Sequence, residues 1–74
     1  MPNFIIDTET KGHRKIYNRL AKLKTTISIQ DNGQYHNCPE CSQISIKSTL
    51  SADDLDHWLW ENNLDYIGVV EDKK

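Results

Sequence analysis

Apolar and polar residues alternate or recur at helical spacing along most of the chain, and the pattern divides it into six elements. Phe4, Ile5 and Ile6 form a short apolar run that closes on Asp7 and predicts a first strand. The stretch TETKGH, with Gly12 as breaker, reads as the turn that follows. Between His13 and Leu23 the residues Ile16, Leu20 and Leu23 recur at i, i+4 and i+7, which places them within roughly 60° of one another on a helix. Tyr17 and Ala21 flank that stripe. TTISIQ then alternates strictly, with Ile27 and Ile29 on one face and Thr26, Ser28 and Gln30 on the other, the signature of a strand with one buried side.

Asp31-Asn32-Gly33 is a hairpin-turn signal, QYHN can continue the hairpin, and CPEC forces a second tight turn. SQISIK alternates again, with Ile44 and Ile46 facing in and Gln43, Ser45 and Lys47 facing out. Ser51 suits a helix N-cap: its hydroxyl can accept from the free amides of the first turn, and Asp53 and Asp54 favour the positive end of the helix dipole. Ala52, Leu55, Trp58 and Leu59 form the buried stripe of this second helix. Asn62 and Asn63 close it, DYIGVV reads as a last strand, and residues 71–74 read as a disordered tail.

The expected order is β-α-β-β-α-β. Two helices covering one face of an antiparallel sheet make this an α+β chain with the split βαβ, ferredoxin-like arrangement. The 74 residues form one domain, spanning 1–74, and at this size only roughly 60–65% of the unfolded surface can be buried. No apolar run approaches the ~20 residues needed to cross a bilayer, and no basic segment leads into a long apolar one at the N-terminus. The expectation is a soluble, cytoplasmic chain without membrane contact.

Nine Lys and Arg against eleven Asp and Glu give a net charge of −2, which argues against a surface that is wholly a nucleic-acid footprint. The distribution is more informative than the sum. Lys11, Arg14, Lys15, Arg19, Lys22 and Lys24 are six of the nine bases, and no acid interrupts them between Thr10 and Gln30. From Ser51 to Asp72 there are seven acids and no Lys or Arg. Lys15, Arg19 and Lys22 line one side of the first helix as a phosphate-tracking stripe. The open sheet face, in contrast, offers Thr, Ser and Gln where an RNA-recognition sheet would show stacking aromatics. Three outcomes stay open: the opposite charges of the two helices meet within one molecule, they meet between molecules, or one helix serves a partner.

Cys38 and Cys41 stand too close to close a long covalent loop. They are spare thiols in a β-turn, a redox pair, or two metal ligands. A redox pair of the kind that opens a helix is not matched, because SQISIK reads as a strand. A zinc site would use His36, Cys38 and Cys41, with the fourth ligand from His13, His57 or a partner chain.

The opening stretch NFIIDTET resembles the first motif of the DEDD exonucleases, in which a strand delivers an Asp and a Glu, here Asp7 and Glu9, to a pair of divalent ions. No later segment supplies the further motifs, and such a domain is more than twice this length, so the exonuclease reading is set aside. A strand ending in Asp, followed by the basic helix GHRKIYNRLAKL, is also similar to the small ferredoxin-like nucleases of CRISPR adaptation. That resemblance implies a dimeric metal-dependent nuclease in which Asp7 meets its twin across the two-fold axis.

In LDHWLWEN, Trp58 falls on the Leu55/Leu59 stripe, whereas Trp60 lies about 200° from Trp58 around the helix and shares the outer face with Asp53, Asp56 and His57. Tryptophan in water is costly and is enriched at the centres of interfaces. Either the last strand or the tail covers Trp60, or it anchors a partner. No nucleophile-base pair or Gly-rich phosphate loop is visible. The sequence therefore favours a non-enzymatic regulatory module, of the kind a phage-type inhibitor of a nucleic-acid enzyme would be. Its docking residues would be Trp60, Asp53, Asp56, His57 and Glu61, and its target a basic protein surface or the basic helix of a second copy. The alternatives are a zinc-stabilised nucleic-acid binder using Lys11, Arg14, Lys15, Arg19 and Lys22, and the dimeric nuclease.

Overall fold

The computed structural model describes residues 3–72. The elements run β1 (Asn3–Glu9), α1 (Thr10–Ala21), β2 (Thr26–Gln34), β3 (Cys41–Ser48), α2 (Ala52–Glu61) and β4 (Tyr66–Asp72). The sheet order is β2-β3-β1-β4 with every neighbouring pair antiparallel, so the two βαβ units interleave as the ferredoxin-like arrangement requires. α1 packs over β1, β2 and β3, and α2 over β4.

The core follows from period-2 and period-3.6 burial meeting on one side of the sheet. Phe4 and Ile6 from β1 and Ile44 and Ile46 from β3 point inward as cross-strand partners, Phe4 opposite Ile46 and Ile6 opposite Ile44. Ile16 and Leu20 from α1, Leu55 and Leu59 from α2, and Leu64 cover them. Trp58, Ala52, Tyr17, Tyr66 and Val69 pack around the edge of this cluster. The Ser51 cap forms as expected, its Oγ accepting from the Asp54 amide at 3.1 Å. Asn62 ends α2, and Asn63 takes the left-handed conformation at φ 55° that Asn tolerates at a helix end.

Four expectations are corrected. Thr8, Glu9 and Thr10 are not a turn: β1 continues to Glu9, and α1 starts at Thr10 with Gly12 inside its first turn. The polar stretch can stay in a strand because the inward Thr8, fully buried, finds hydrogen-bond partners there.

Asp31-Asn32-Gly33 is likewise not the hairpin turn. β2 runs through it with a shift in register between Asp31 and Gly33, and Gly33 sits at φ +77°. The left-handed glycine and the Gly33 amide, which donates to Asp31 Oδ1 at 2.9 Å, make this a bulge. The chain reverses later, at residues 35–40, where the Tyr35 amide donates to the Cys41 carbonyl at 3.0 Å and the Cys41 amide to the Cys38 carbonyl at 2.9 Å.

Ile27 does not join the core. A second register shift, between Thr26 and Ser28, breaks the alternation and leaves Ile27 51% exposed, while Ile29 is half-buried opposite Ile46. Glu71 and Asp72 do not belong to a tail, since β4 carries them opposite Phe4 and Asn3. Lys73 and Lys74 lie outside the described residues.

Candidate docking face on the second helix

Burying Leu55 and Leu59 against the sheet turns the opposite side of α2 to solvent. Trp60 is 70% exposed there, the most exposed large apolar residue of the described chain. Its indole stacks on His57, with ring centroids 6.4 Å apart and planes inclined by 28°. The His57 Nε2 in turn lies 2.9 Å from Glu61 Oε1, an i,i+4 pair on an exposed helix surface. Glu61, His57 and Trp60 thus form one continuous strip. Asp53, seven residues before Trp60 and so almost directly below it, extends the strip toward the helix start.

Asp56 shares this side but is tied to the sheet. Its Oδ1 accepts from the Tyr66 hydroxyl at 2.5 Å, and its backbone carbonyl from the same hydroxyl at 3.1 Å. The carboxylate, helped by burial, raises the Tyr66 pKa, so the phenol stays a donor and β4 stays anchored to α2.

The basic residues Lys11, Arg14, Lys15 and Arg19 on α1 and Lys22 at its C-cap are all exposed. Lys11 approaches Glu9 at 3.5 Å, Arg14 approaches Asp31 at 3.9 Å and covers the Tyr17 ring, and Arg19 donates to Asn62 Oδ1 at 2.7 Å. Among the described residues no ion pair joins α1 to α2. The opposite charges of the two helices are therefore not joined in direct ion pairs inside the molecule, and the charged side chains of each helix are exposed.

Asp7 and Glu9 are not brought to a common centre. The Asp7 carboxylate accepts from the Tyr35 hydroxyl on the outer sheet face, and Gln43 Nε2 donates to the same phenolic oxygen at 2.8 Å. Asn32 extends this polar row, donating to Gln43 Oε1 at 2.8 Å and to Ser45 Oγ at 2.6 Å. The Asp7 hydrogen bond and burial push the Tyr35 pKa up, whereas the Gln43 contact opposes them. Asp7 acts here as a cross-strand acceptor that fixes Tyr35.

The expected metal ligands separate as well. The Cys38 and Cys41 sulfurs are joined as a disulfide, so neither is a free thiolate ligand in this state. His36 is exposed on the turn, His57 is engaged on α2, and His13 is buried elsewhere. Among the described residues no group of three or more His, Cys, Asp or Glu side chains gathers around a common point.

Sequence reasoning missed a buried, hydrogen-bonded polar cluster. His13 is only 7% exposed; its Nδ1 lies 2.9 Å from Thr8 Oγ1 and its Nε2 2.6 Å from Asp31 Oδ1. A carboxylate can only accept, so Nε2 carries a proton and donates to Asp31. The Thr8 hydroxyl donates to Nδ1 of the neutral ring, or accepts from it when the ring is charged and turns to the Ser42 carbonyl, 3.4 Å away. Burial raises the Asp31 pKa, but the His13 hydrogen bond, the Gly33 amide and the positive charges of His13 and Arg14 outweigh it and leave the pKa lowered. The signal for His13 was available: it precedes Ile16 by three residues and Leu20 by seven, which places it on the buried stripe of α1. Asp31 carried no comparable signal, because its inward placement depends on β2 continuing through Gly33.

Compared with protein-family models, curated proteins and solved structures, the chain matches none of them.

Proposed function

We propose that this chain is a non-enzymatic binding module that docks on a basic surface of another macromolecule through the outer face of α2. The observation that carries the reading is Trp60, 70% exposed and stacked on His57 in a helix whose acids form no ion pair with α1. An indole has only two rotatable bonds to order on binding and buries a large apolar area, while Asp53 and Glu61 around it select a cationic partner. Asp56 contributes charge to the rim but is held by Tyr66, so its role is to fix the helix on the sheet as much as to meet a partner. Stoichiometric capture of this kind suits a small regulator, including an inhibitor that occupies the basic nucleic-acid groove of an enzyme.

A titration of arginine-rich peptide, followed by tryptophan fluorescence, tests the reading. Binding is expected in the parent protein, should weaken with salt, and should fall by more than tenfold in Trp60→Ala while the circular dichroism spectrum and melting curve are retained, because central aromatic anchors are typically worth about 2 kcal/mol or more. Retained affinity in Trp60→Ala would remove Trp60 as the anchor. If the protein instead ignores the peptide and binds duplex DNA, with loss on neutralising Lys15 or Arg19, the first helix is the functional face.

A further inference from the structure

The turn that reverses β2 into β3 carries a chemical group independent of the α2 face. We propose that the Cys38–Cys41 pair is a reversible thiol–disulfide exchange site for a small neutral or cationic monothiol, attacked at Cys41. A concavity of about 680 Å³ opens beside the turn, lined by Cys41 and not by Cys38, together with Thr10, Pro39 and Ile67. Pockets of this volume accommodate small organic molecules. Glu9 and Glu40 also line it against the single ammonium of Lys11, so the local charge favours a neutral or cationic thiol over an anionic one.

The turn is organised without reference to the sulfur–sulfur bond. The Thr10 amide donates to the Glu40 carbonyl at 2.7 Å, and the Thr10 hydroxyl to the Pro39 carbonyl at 2.8 Å. Gln34 Nε2 donates to the Pro39 carbonyl from the other side at 2.9 Å. Five amide and side-chain hydrogen bonds, counting Tyr35 to Cys41 and Cys41 to Cys38, therefore hold the two cysteines together in either redox state. Both cysteines are half-buried and neither belongs to the hydrophobic core. Their separation of three in sequence means that the bond restrains less of the unfolded chain than a long-range crosslink would. A short-range crosslink in a turn already held by hydrogen bonds, with one sulfur-bearing residue beside a concavity, is placed for exchange more than for joining distant parts of the fold.

In the exchange, the incoming thiolate attacks Cys41 Sγ, the Cys38–Cys41 bond breaks, and Cys38 leaves as a thiolate that takes a proton from water. The product is a mixed disulfide at Cys41. A second thiolate then attacks the sulfur contributed by the first thiol, releasing a small-molecule disulfide and the Cys41 thiolate, which is protonated in turn. Two thiols are oxidised to one disulfide, and the protein gains two electrons and two protons.

The test incubates the intact protein with cysteamine–cystamine buffers of graded ratio, quenches by alkylation and reads intact mass. Reversible interconversion of the disulfide and dithiol forms is expected, with the melting transition retained in the dithiol form. Incubated with cystamine, Cys38→Ser should trap cysteamine on Cys41 roughly tenfold faster than Cys41→Ser traps it on Cys38, and faster than Cys38→Ser traps glutathione from glutathione disulfide at equal disulfide concentration. The proposal is overturned if reduction unfolds the protein, if the two single-cysteine variants react equally, or if the purified protein carries one zinc per chain or per dimer and its cysteines resist alkylation.

Discussion

Replacing Asp31 by alanine removes the carboxylate that, among the described residues, meets the buried ring of His13. The parent side chain accepts from His13 Nε2 at 2.6 Å and from the Gly33 amide at 2.9 Å, and it is itself 26% exposed. Each hydrogen bond to a charged acceptor contributes about 1.5–3 kcal/mol, but partial exposure lets water replace some of what the Gly33 amide loses. The His13 N–H, on a residue only 7% exposed, has no such substitute. The net cost is estimated at about 2–3 kcal/mol, which in a domain of this size lowers the melting temperature by roughly 10–20 °C. Asp31→Asn keeps a neutral acceptor in the same place and should lose about half as much.

The same carboxylate sets a pH dependence with a defined sign. Its pKa is lowered from the ordinary 3.8 in the folded protein. Its stabilisation is therefore complete above 3.8 and is lost as pH falls through the lower, folded-state value. Differential scanning calorimetry of the parent and of Asp31→Asn should show their difference shrinking below about pH 4. An Asp31→Ala protein that melts within about 3 °C of the parent would refute the reasoning, since the cluster would then contribute no more than an ordinary surface contact.

Two further substitutions separate core from surface on α2. Leu59→Ala empties a fully buried position and should cost about 2–5 kcal/mol in chemical denaturation, enough to unfold much of so small a domain, while the neighbouring Trp60→Ala should stay within about 0.5 kcal/mol of the parent. Ser51→Ala removes the acceptor for the Asp54 amide and should cost about 1 kcal/mol, read as a shift of the urea midpoint at unchanged slope.

Wherever an element's own periodicity met a single buried face, its character was legible in the chain. Ile44 and Ile46 alternate with Gln43, Ser45 and Lys47, and β3 buries the first set. Leu55 and Leu59 with Ser51 ahead of them specify α2, and the same geometry places Trp60 off the buried stripe, but only the folded chain showed that it is left 70% exposed. The order of six elements, and with it the interleaved sheet, also follows from local pattern, because each segment's period and caps act within a few residues.

Tertiary contacts decided the rest. Asp-Asn-Gly favours a turn in isolation, yet β3 is long enough to pair with β2 on both sides of it, so the glycine becomes a bulge and the reversal moves to the cysteine-bearing turn. Thr8, His13 and Asp31 lie on three different elements, and only packing α1 across β1 and β2 brings them within hydrogen-bond distance. The charges of α1 and α2 were equally visible in the chain, but whether they cancel depends on how the helices sit on the sheet, and Arg19 meets Asn62 instead of an acid. Sequence by itself determined which residues prefer water and at what spacing; the folded chain determined which polar groups meet, because a hydrogen bond needs partners within about 3 Å and no local pattern encodes that distance between remote segments.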